Sequence, residues 1–419
     1  MEPFRFVHAA DLHIDSPFAG LRDVDQRVAD RLQEATYEAF RNLVDLCVEV
    51  EADFLIVAGD VYDGADRSVR AQLRFRDGLA ELAENGIQSF IAHGNHDSLD
   101  GWQSAISWPE GVHIFGQQPE WKTASTRGGA PVAAIQGVSF PKREVRENLA
   151  LAFAPPAKSD LFNIGVLHCN VGGNPDHDNY APCTVNELSQ VGLDYWALGH
   201  VHTRQVLRRS RPAIAYPGNS QGRHPNETGP RGCFLVEVGA DRTPRMEFQP
   251  LDVVRWETCE LPVSAITTLD GLIASIEQSL EDISARAEGR DVVCRLVLTG
   301  RGPMHAELAQ PGALADVLDT VRLSSGAGSP WVWVERIADE TRAELDLDAR
   351  ARQDDFLGAT LKRADAALKY EDEAERIREA LADMFSGRRG SLPEPTDEEF
   401  AEWVNEARWY LAELLESEA

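Results

Sequence analysis

Short apolar runs and longer amphipathic stretches alternate along the first 250 residues. Phe4-Arg5-Phe6-Val7 opens the series, and Phe54-Leu55-Ile56-Val57-Ala58 is a compact run of the kind buried inside a sheet. Ser89-Phe90-Ile91-Ala92, Ile164-Gly165-Val166-Leu167 and Tyr195-Trp196-Ala197-Leu198 follow the same style. Between the first two runs, residues 28–50 place Phe40, Leu43, Val44, Cys47 and Val48 at helical spacing. Residues 69–84 do likewise and stop at Asn85-Gly86, a good helix terminator. Strand, helix, strand repetition predicts an α/β domain with covered sheets over residues 1–250.

From residue 251 the pattern changes. Val253-Val254-Arg255-Trp256, the run from Val292 to Leu298, and Trp331-Val332-Trp333-Val334 read as strands, with helical stretches near 264–287 and 311–322 between them. The expectation is a small β-α-β-α-β domain over 251–345. Residues 346–419 read as helical: 348–385, a break at 387–395, then 397–416. The last helix carries Phe400, Trp403, Val404, Leu411, Leu414 and Leu415 largely along one face. That face is either docked on its own domain or offered to a partner.

Composition narrows the setting. The 419 residues are 43% hydrophobic and 26% charged, an ordinary globular balance, and the length suits two or three domains. No apolar run approaches the roughly 20 residues of a membrane helix, and the first fifteen residues lack the basic and apolar regions of an export signal. Six scattered cysteines without a CxxC pair fit reduced thiols and a cytoplasmic setting. The formal charge of −28 argues against simple coating of nucleic acid or anionic membrane. It is uneven, however: residues 201–250 hold eight arginines against four acids, so a local basic patch is possible.

Five polar clusters each follow one of the apolar runs: Asp11-Leu12-His13, Gly59-Asp60-Val61-Tyr62-Asp63, Gly94-Asn95-His96-Asp97, His168, and Gly199-His200-Val201-His202. Ligands gather beyond the carboxyl ends of strands in open α/β sheets, so five loops could converge on one point. Five of the eleven histidines fall inside these clusters. Asp11, His13, Asp60, Asn95, His168, His200 and His202 supply oxygen and imidazole donors without thiolate, a set suited to Mn²⁺, Fe²⁺ or Zn²⁺. Seven donors exceed one ion and suit two at about 3.5–4 Å sharing a carboxylate. The glycines before Asp60, Asn95 and His200 would permit tight turns.

The series D-x-H, G-D-x-x-D, G-N-H-D, H, G-H-x-H resembles the calcineurin-like metallophosphoesterases. The wording His8-Ala9-Ala10-Asp11-Leu12-His13 and Ala58-Gly59-Asp60-Val61-Tyr62-Asp63 is similar to that of SbcD-type DNA-repair exonuclease subunits. Tyr216-Pro217-Gly218-Asn219-Ser220-Gln221-Gly222-Arg223-His224 resembles the YhaO-like branch. The motif match spans residues 4–235. The resemblance implies a two-sheet α/β sandwich core with a small α+β capping domain and a helical tail. It implies one ion on Asp11, His13, Asp60 and His202, and a second, most simply also Mn²⁺, on Asp60, Asn95, His168 and His200. His96 would serve as proton donor or charge stabiliser, with Asp97 orienting its ring, and a hydroxide shared by the ions would attack phosphorus. An SMC-like coiled-coil ATPase, DNA and a second copy of the chain are the partners it implies, with no membrane. Some members carry a second catalytic histidine after the G-D motif; Asp63 stands in that region here.

Several assignments keep two readings. Asp97 either orients His96 or stabilises its own turn, and Asp63 is either a loop hydrogen-bonder or a support for the site. His8 and His93 sit in apolar runs and read as satisfied core histidines; His113, His177 and His305 read as solvated. Arg204, Arg208, Arg209, Arg211, Arg223 and Arg231 follow the last cluster and are either a solvated face or a phosphate grip. Arg223, His224, Asn219 and Arg204 are the candidates for substrate binding. The function expected first is DNA phosphodiester hydrolysis in repair, by exonuclease or endonuclease action. The alternatives are a phosphatase or phosphodiesterase for nucleotides and small esters, and a non-catalytic metal-bound scaffold for an ATPase.

Overall fold

The computed structural model describes residues 2–16, 26–64, 68–101, 106–155, 160–173, 178–325, 330–385 and 395–416. Contacts divide the chain into two compact units. The first comprises residues 1–259, 276–296 and 318–338; the second comprises 260–275, 297–317 and 339–419.

Two six-stranded mixed sheets build the first unit. In one, Phe4–Ala9, Phe54–Ala58, Gln88–Ala92 and Val112–Ile114 run parallel in that order, and Gly232–Val238 and Pro244–Pro250 close its far edge antiparallel. In the other, Pro131–Gly137, Phe162–His168, Tyr195–Gly199 and Ala213–Tyr216 are parallel, flanked antiparallel by Glu120–Ser125 and Gln205–Arg208. The central strands are buried on both faces because alternate side chains feed different cores. Phe54, Ile56 and Ala58 join Ile135, Ile164 and Tyr195 between the sheets. Leu55 and Val57 face outward onto Leu43, Val44, Phe75 and Leu79 of the helices Gln26–Glu49 and Val69–Glu84. This is the physical meaning of uninterrupted apolar runs in which both faces are covered.

The later segments form a three-stranded sheet of Val254–Pro262, Asp291–Arg301 and Val332–Arg342, with the helices Leu269–Arg286, Met304–Leu308 and Ala313–Ser325 between them in sequence. Trp256, Val293 and Trp333 pack with Val28, Leu32 and Ala35 of the first long helix. The helix expected over 348–385 is three: Leu347–Ala351, Phe356–Ala367 and Glu371–Phe385. Asp346 and Asp355 cap new starts by accepting from Ala349 N and Gly358 N. The final helix, Asp397–Glu416, buries Phe400, Val404 and Ala412, and Leu411 and Leu415 pack against Leu347, Leu357 and Leu361. Most of its apolar face is therefore covered within its own unit; Trp403, Tyr410 and Leu414 remain exposed.

Among the described residues no helix is long and apolar enough to cross a membrane. The six cysteines are unbonded thiols.

His8 is fully buried, accepting at Nδ1 from the Tyr195 hydroxyl (2.9 Å) and donating from Nε2 to the Leu198 carbonyl (3.2 Å). Burial drives its pKa down from 6.5 to about 3. Between those values the unfolded chain binds a proton that the folded one refuses, so this contribution to stability is complete above pH 6.5 and is lost as pH falls toward 3. The His8→Gln variant is expected to lose stability between pH 7 and 5 less steeply than wild type, by up to ~1.4 kcal/mol per pH unit. Parallel denaturation midpoints across that range test this; identical slopes for the two proteins would refute it.

Candidate active site

All five polar clusters lie at carboxyl ends of parallel strands. Asp11 and His13 follow Phe4–Ala9, Asp60 and Asp63 follow Phe54–Ala58, and Asn95 and His96 follow Gln88–Ala92. From the second sheet, His168 ends Phe162–His168, and His200 and His202 follow Tyr195–Gly199. The first two loops are laced together: Asp11 N, His13 N and Ile14 N donate to the carbonyls of Gly59, Asp60 and Val61. The second sheet joins through His200 N, which donates to the Asp11 carboxylate at 3.1 Å.

The backbone is strained where the donors leave it. Asp11 (φ 52°), His13 (43°), Asp60 (53°) and His200 (103°) all lie at positive φ without being glycine. Each costs on the order of 1–3 kcal/mol and persists only where neighbours over-determine it. Gly59 itself sits at φ 95°, and a Cβ there would collide with the His168 ring. The expected role of glycine as a turn-former is thus joined by close approach of the backbone to a site ring.

Atoms of Asp11, His13 and His202 gather within 4.8 Å of one another, as do those of Asp11, Asp60 and His168. The hydrogen bonds fix what these atoms carry. His168 Nδ1 donates to the Ala58 carbonyl (2.9 Å) and His200 Nε2 to the Asp178 carbonyl (2.8 Å). In neutral rings His168 Nε2 and His200 Nδ1 are therefore lone pairs. They face the Asn95 side-chain oxygen at 3.0 and 3.2 Å, and His168 Nε2 also faces Asp60 Oδ2 at 3.3 Å. His13 Nε2 lies 3.2 Å from His202 Nε2, while His13 Nδ1 is buried without a hydrogen-bond partner. Lone pairs converging on a buried point call for positive charge between them. A proton on His168 is one way to supply that charge and a divalent cation is another. Against the cost of burial, Asp60 and Asp11 raise His168 to about 9, and the imidazoles of His168, His96 and His13 hold Asp60 well below the usual carboxylate range. Asp11, where burial dominates, rises to about 6. The donor set and its geometry fit divalent cations held by oxygen and imidazole.

His96 stands at the edge of this cluster, 30% exposed at its side chain. Its backbone N–H donates to Asp60 Oδ1 at 2.9 Å, and its Nδ1 donates to Asp63 Oδ1 at 2.7 Å. The expected contact with Asp97 is not made. The Asp97 carboxylate turns back into its own loop, accepting from Gly94 N (2.6 Å), Val61 N (2.9 Å) and His93 Nδ1 (2.8 Å). Asp97 thus ties the Asn95 loop to the Asp60 loop, and Asp63 is the residue that orients His96. Burial opposes charge on His96, but Asp63 and Asp60 outweigh it and raise its pKa. Asp63 is held well below the carboxylate range by the His96 hydrogen bond and by the charges of His13, His96 and Arg223. Atoms of His13, Asp63 and His96 also gather within 4.8 Å, but Arg223 already neutralises Asp63 there.

Of the four substrate-binding candidates, only Arg223 reaches this region, where Nη1 donates to Ser16 Oγ (2.6 Å) and Asp63 Oδ2 (3.1 Å). Asn219 is fully buried and structural: Nδ2 donates to Gln221 O and Glu227 Oε2, and Oδ1 accepts from Arg231. His224 is exposed, with Nδ1 accepting from Asn226 N. Arg204 stacks on Phe248, its guanidinium 4.0 Å from the ring centre. Arg208 is likewise engaged, bonded to Ser189 and the Arg211 carbonyl, and Arg211 and Arg242 pair with buried Asp194. The basic run is therefore largely scaffolding.

Two residues had no signal in the motif series. Glu227 accepts from His202 Nδ1 at 2.6 Å. Arg143 joins Asp63, Gly64, Asn95, His96, Ser98 and Gly101 in lining a cavity of about 320 Å³ beside His96. Among the other histidines, His93 is buried on Asp97 as a core histidine should be. His113 stacks on Phe90 (5.2 Å, 26°) and His305 contacts Thr341 Oγ1 at 3.0 Å, so neither is merely solvated. His177 lies outside the described residues.

A two-sheet α/β sandwich with a histidine, aspartate and asparagine cluster at the carboxyl ends of its strands is the arrangement of a metal-dependent phosphoesterase. Comparison with known proteins agrees. The family model described as calcineurin-like phosphoesterase matches residues 4–204, and that of the metallophosphoesterase YhaO middle domain matches residues 256–342. An uncharacterized metallophosphoesterase YhaO of Bacillus subtilis is 37% identical over 360 residues, 86% of each chain. The DNA double-strand break repair protein Mre11 of Methanopyrus kandleri is 28% identical, covering 93% of this chain and 84% of its own. One of the subunits of the nuclease SbcCD of B. subtilis is 23% identical, covering 51% and 61%. The chain belongs to the calcineurin-like metallophosphoesterases of the YhaO type, a family of metal-dependent hydrolases acting on phosphoesters.

Proposed function

We propose that this chain hydrolyses phosphodiester bonds in DNA with two divalent cations, most simply Mn²⁺, as a nuclease working in DNA repair. The observation that carries hydrolysis is the buried convergence of lone pairs from Asp60, Asn95, His168 and His200 beside a His96 whose proton is favoured. DNA as substrate is supported by the names of the Mre11 and SbcCD relatives. Asp11, His13, Asp60 and His202 would hold one cation, and Asp60, Asn95, His168 and His200 the other. When bound, such ions would neutralise phosphate charge and lower the pKa of water so that hydroxide, the attacking nucleophile, is available near neutral pH. His96, whose charged form Asp63 and Asp60 favour, would donate to the leaving oxygen. Asp97 holds the two loops in register. Arg143 lines the cavity beside His96, and Arg223 pairs with the Asp63 that orients its ring.

A small phosphoester or nucleotide substrate is the second reading, favoured by the −28 charge, which repels a long polyanion. End-labelled duplex DNA, bis(p-nitrophenyl) phosphate and mononucleotides assayed side by side with Mn²⁺ separate the two. Degradation of the duplex is expected. Turnover of small esters alone, under every divalent metal tried, would reject the DNA reading. By the same likeness, we take an SMC-like ATPase and a second copy of the chain as partners, and exposed Trp403, Tyr410 and Leu414 as the part of the tail left for contact.

A further inference from the structure

Glu227 lies outside the five polar clusters, yet three donors converge on its carboxylate. Oε1 accepts from His202 Nδ1 at 2.6 Å; Oε2 accepts from the backbone N–H of Arg223 at 2.6 Å and from Asn219 Nδ2 at 3.0 Å. An ionised carboxylate only accepts, so the His202 proton sits on Nδ1 and the lone pair on Nε2. Nε2 is the atom that faces His13 Nε2 at 3.2 Å, and His202 gathers there with Asp11 and His13. The same carboxylate anchors a second arm. Arg223, held at its backbone by Glu227, reaches with Nη1 to Ser16 and Asp63, and Asp63 Oδ1 accepts from His96 Nδ1 at 2.7 Å.

We propose that Glu227 is a positioning residue for the first cation site: it selects the His202 tautomer whose Nε2 can ligate, and through Arg223 it fixes the carboxylate that orients His96. A carboxylate behind a ligating imidazole sets ring direction and basicity, and its loss commonly weakens metal binding by roughly 10- to 100-fold. The inference rests on the two-cation reading but not on DNA as the substrate.

The competing role is a loop staple, with Glu227 merely closing residues 219–227. Glu227→Gln separates them. If the amide nitrogen faces His202, the ring must accept at Nδ1 and its proton moves to Nε2. If the amide oxygen faces His202, the amide nitrogen meets the two donors Arg223 N and Asn219 Nδ2. Either way the arrangement fails.

The test titrates Mn²⁺ into the full chain and follows the His202 ring ¹⁵N shifts of the metal-free protein. Expected for Glu227→Gln is a loss of affinity of roughly tenfold or more at one of two ions, with the other held. Arg223→Gln is expected to keep both ions within about twofold while lowering kcat. A Glu227→Gln protein that binds both ions as wild type does overturns the proposal. So does a wild-type His202 that carries its proton on Nε2, a result that needs no variant and no folding control. Wild type binding fewer than two ions would instead reject the two-cation reading, while the ¹⁵N result still decides the tautomer.

Discussion

Replacing His96 with asparagine is expected to lower the hydrolytic rate by roughly 10²–10⁴-fold while leaving bound metal unchanged, because the proposed role of His96 is to supply a proton rather than a ligand. Its Nδ1 is engaged by Asp63 at 2.7 Å, so Nε2 is the end available to a substrate. The asparagine keeps the backbone N–H that donates to Asp60 Oδ1, which preserves the loop. Turnover of a chromogenic diester and metal content measured on one preparation check both halves. Full metal with full activity in the variant would remove His96 from the chemistry. The sign of the pH effect follows from the raised His96 pKa: activity that needs the imidazolium is present below that value and falls as pH rises through it. Asp63→Asn withdraws the carboxylate that raises it, so the alkaline limb of the pH–rate profile should move to lower pH.

Gly94→Ala is expected to displace metal without unfolding the sheets. A Cβ on Gly94 would run into Asp60 Oδ1 and lie 2.7 Å from His168 Cε1 and Nε2, so the Asp60 carboxylate or the ring must move. Both are fully buried, and neither can retreat into solvent. Overpacking of this kind costs about 1–3 kcal/mol, and here it falls on donor positions rather than on inert methyl groups. Mn²⁺ stoichiometry should fall below that of wild type and hydrolysis should drop at least as far as in the His96 variant, with the far-ultraviolet spectrum retained. Gly116→Ala is the control, since a Cβ there meets nothing within 4 Å. Wild-type metal content in Gly94→Ala would show that the site tolerates the crowding.

The seven donor positions are legible because apolar run followed by polar cluster is a local code. A run such as Phe54–Ala58 is buried on both faces, so it must be a strand, and the residues after it must be its carboxyl-end loop. The family wording adds the order of the clusters. The same logic overreaches with Asp97, whose place next to His96 in sequence suggests a partnership the structure does not contain. Adjacent residues in a tight loop point different ways, and Asp97 spends its oxygens on Gly94 N and Val61 N. The arginine run misleads for a similar reason: nearness along the chain to His202 does not say where a guanidinium ends. Arg204 lies on Phe248, and Arg231 donates to the His202 and Thr228 carbonyls. In the last helix the apolar spacing does mark a face, but its cover of Leu347, Leu357 and Leu361 comes from helices much earlier in the chain.

By itself the sequence determined the five strands that lead into the site, the loops that bear donors, and the kind of atoms those loops offer, since each depends on residue type and on periodicity over a few positions. Only the tertiary structure decided which carboxylate meets which imidazole. Asp63 reaches His96 across 33 residues and Glu227 reaches His202 across 25. Such pairings turn on the direction in which a side chain leaves the backbone, and several of these side chains leave from left-handed residues that the surrounding fold holds in strain.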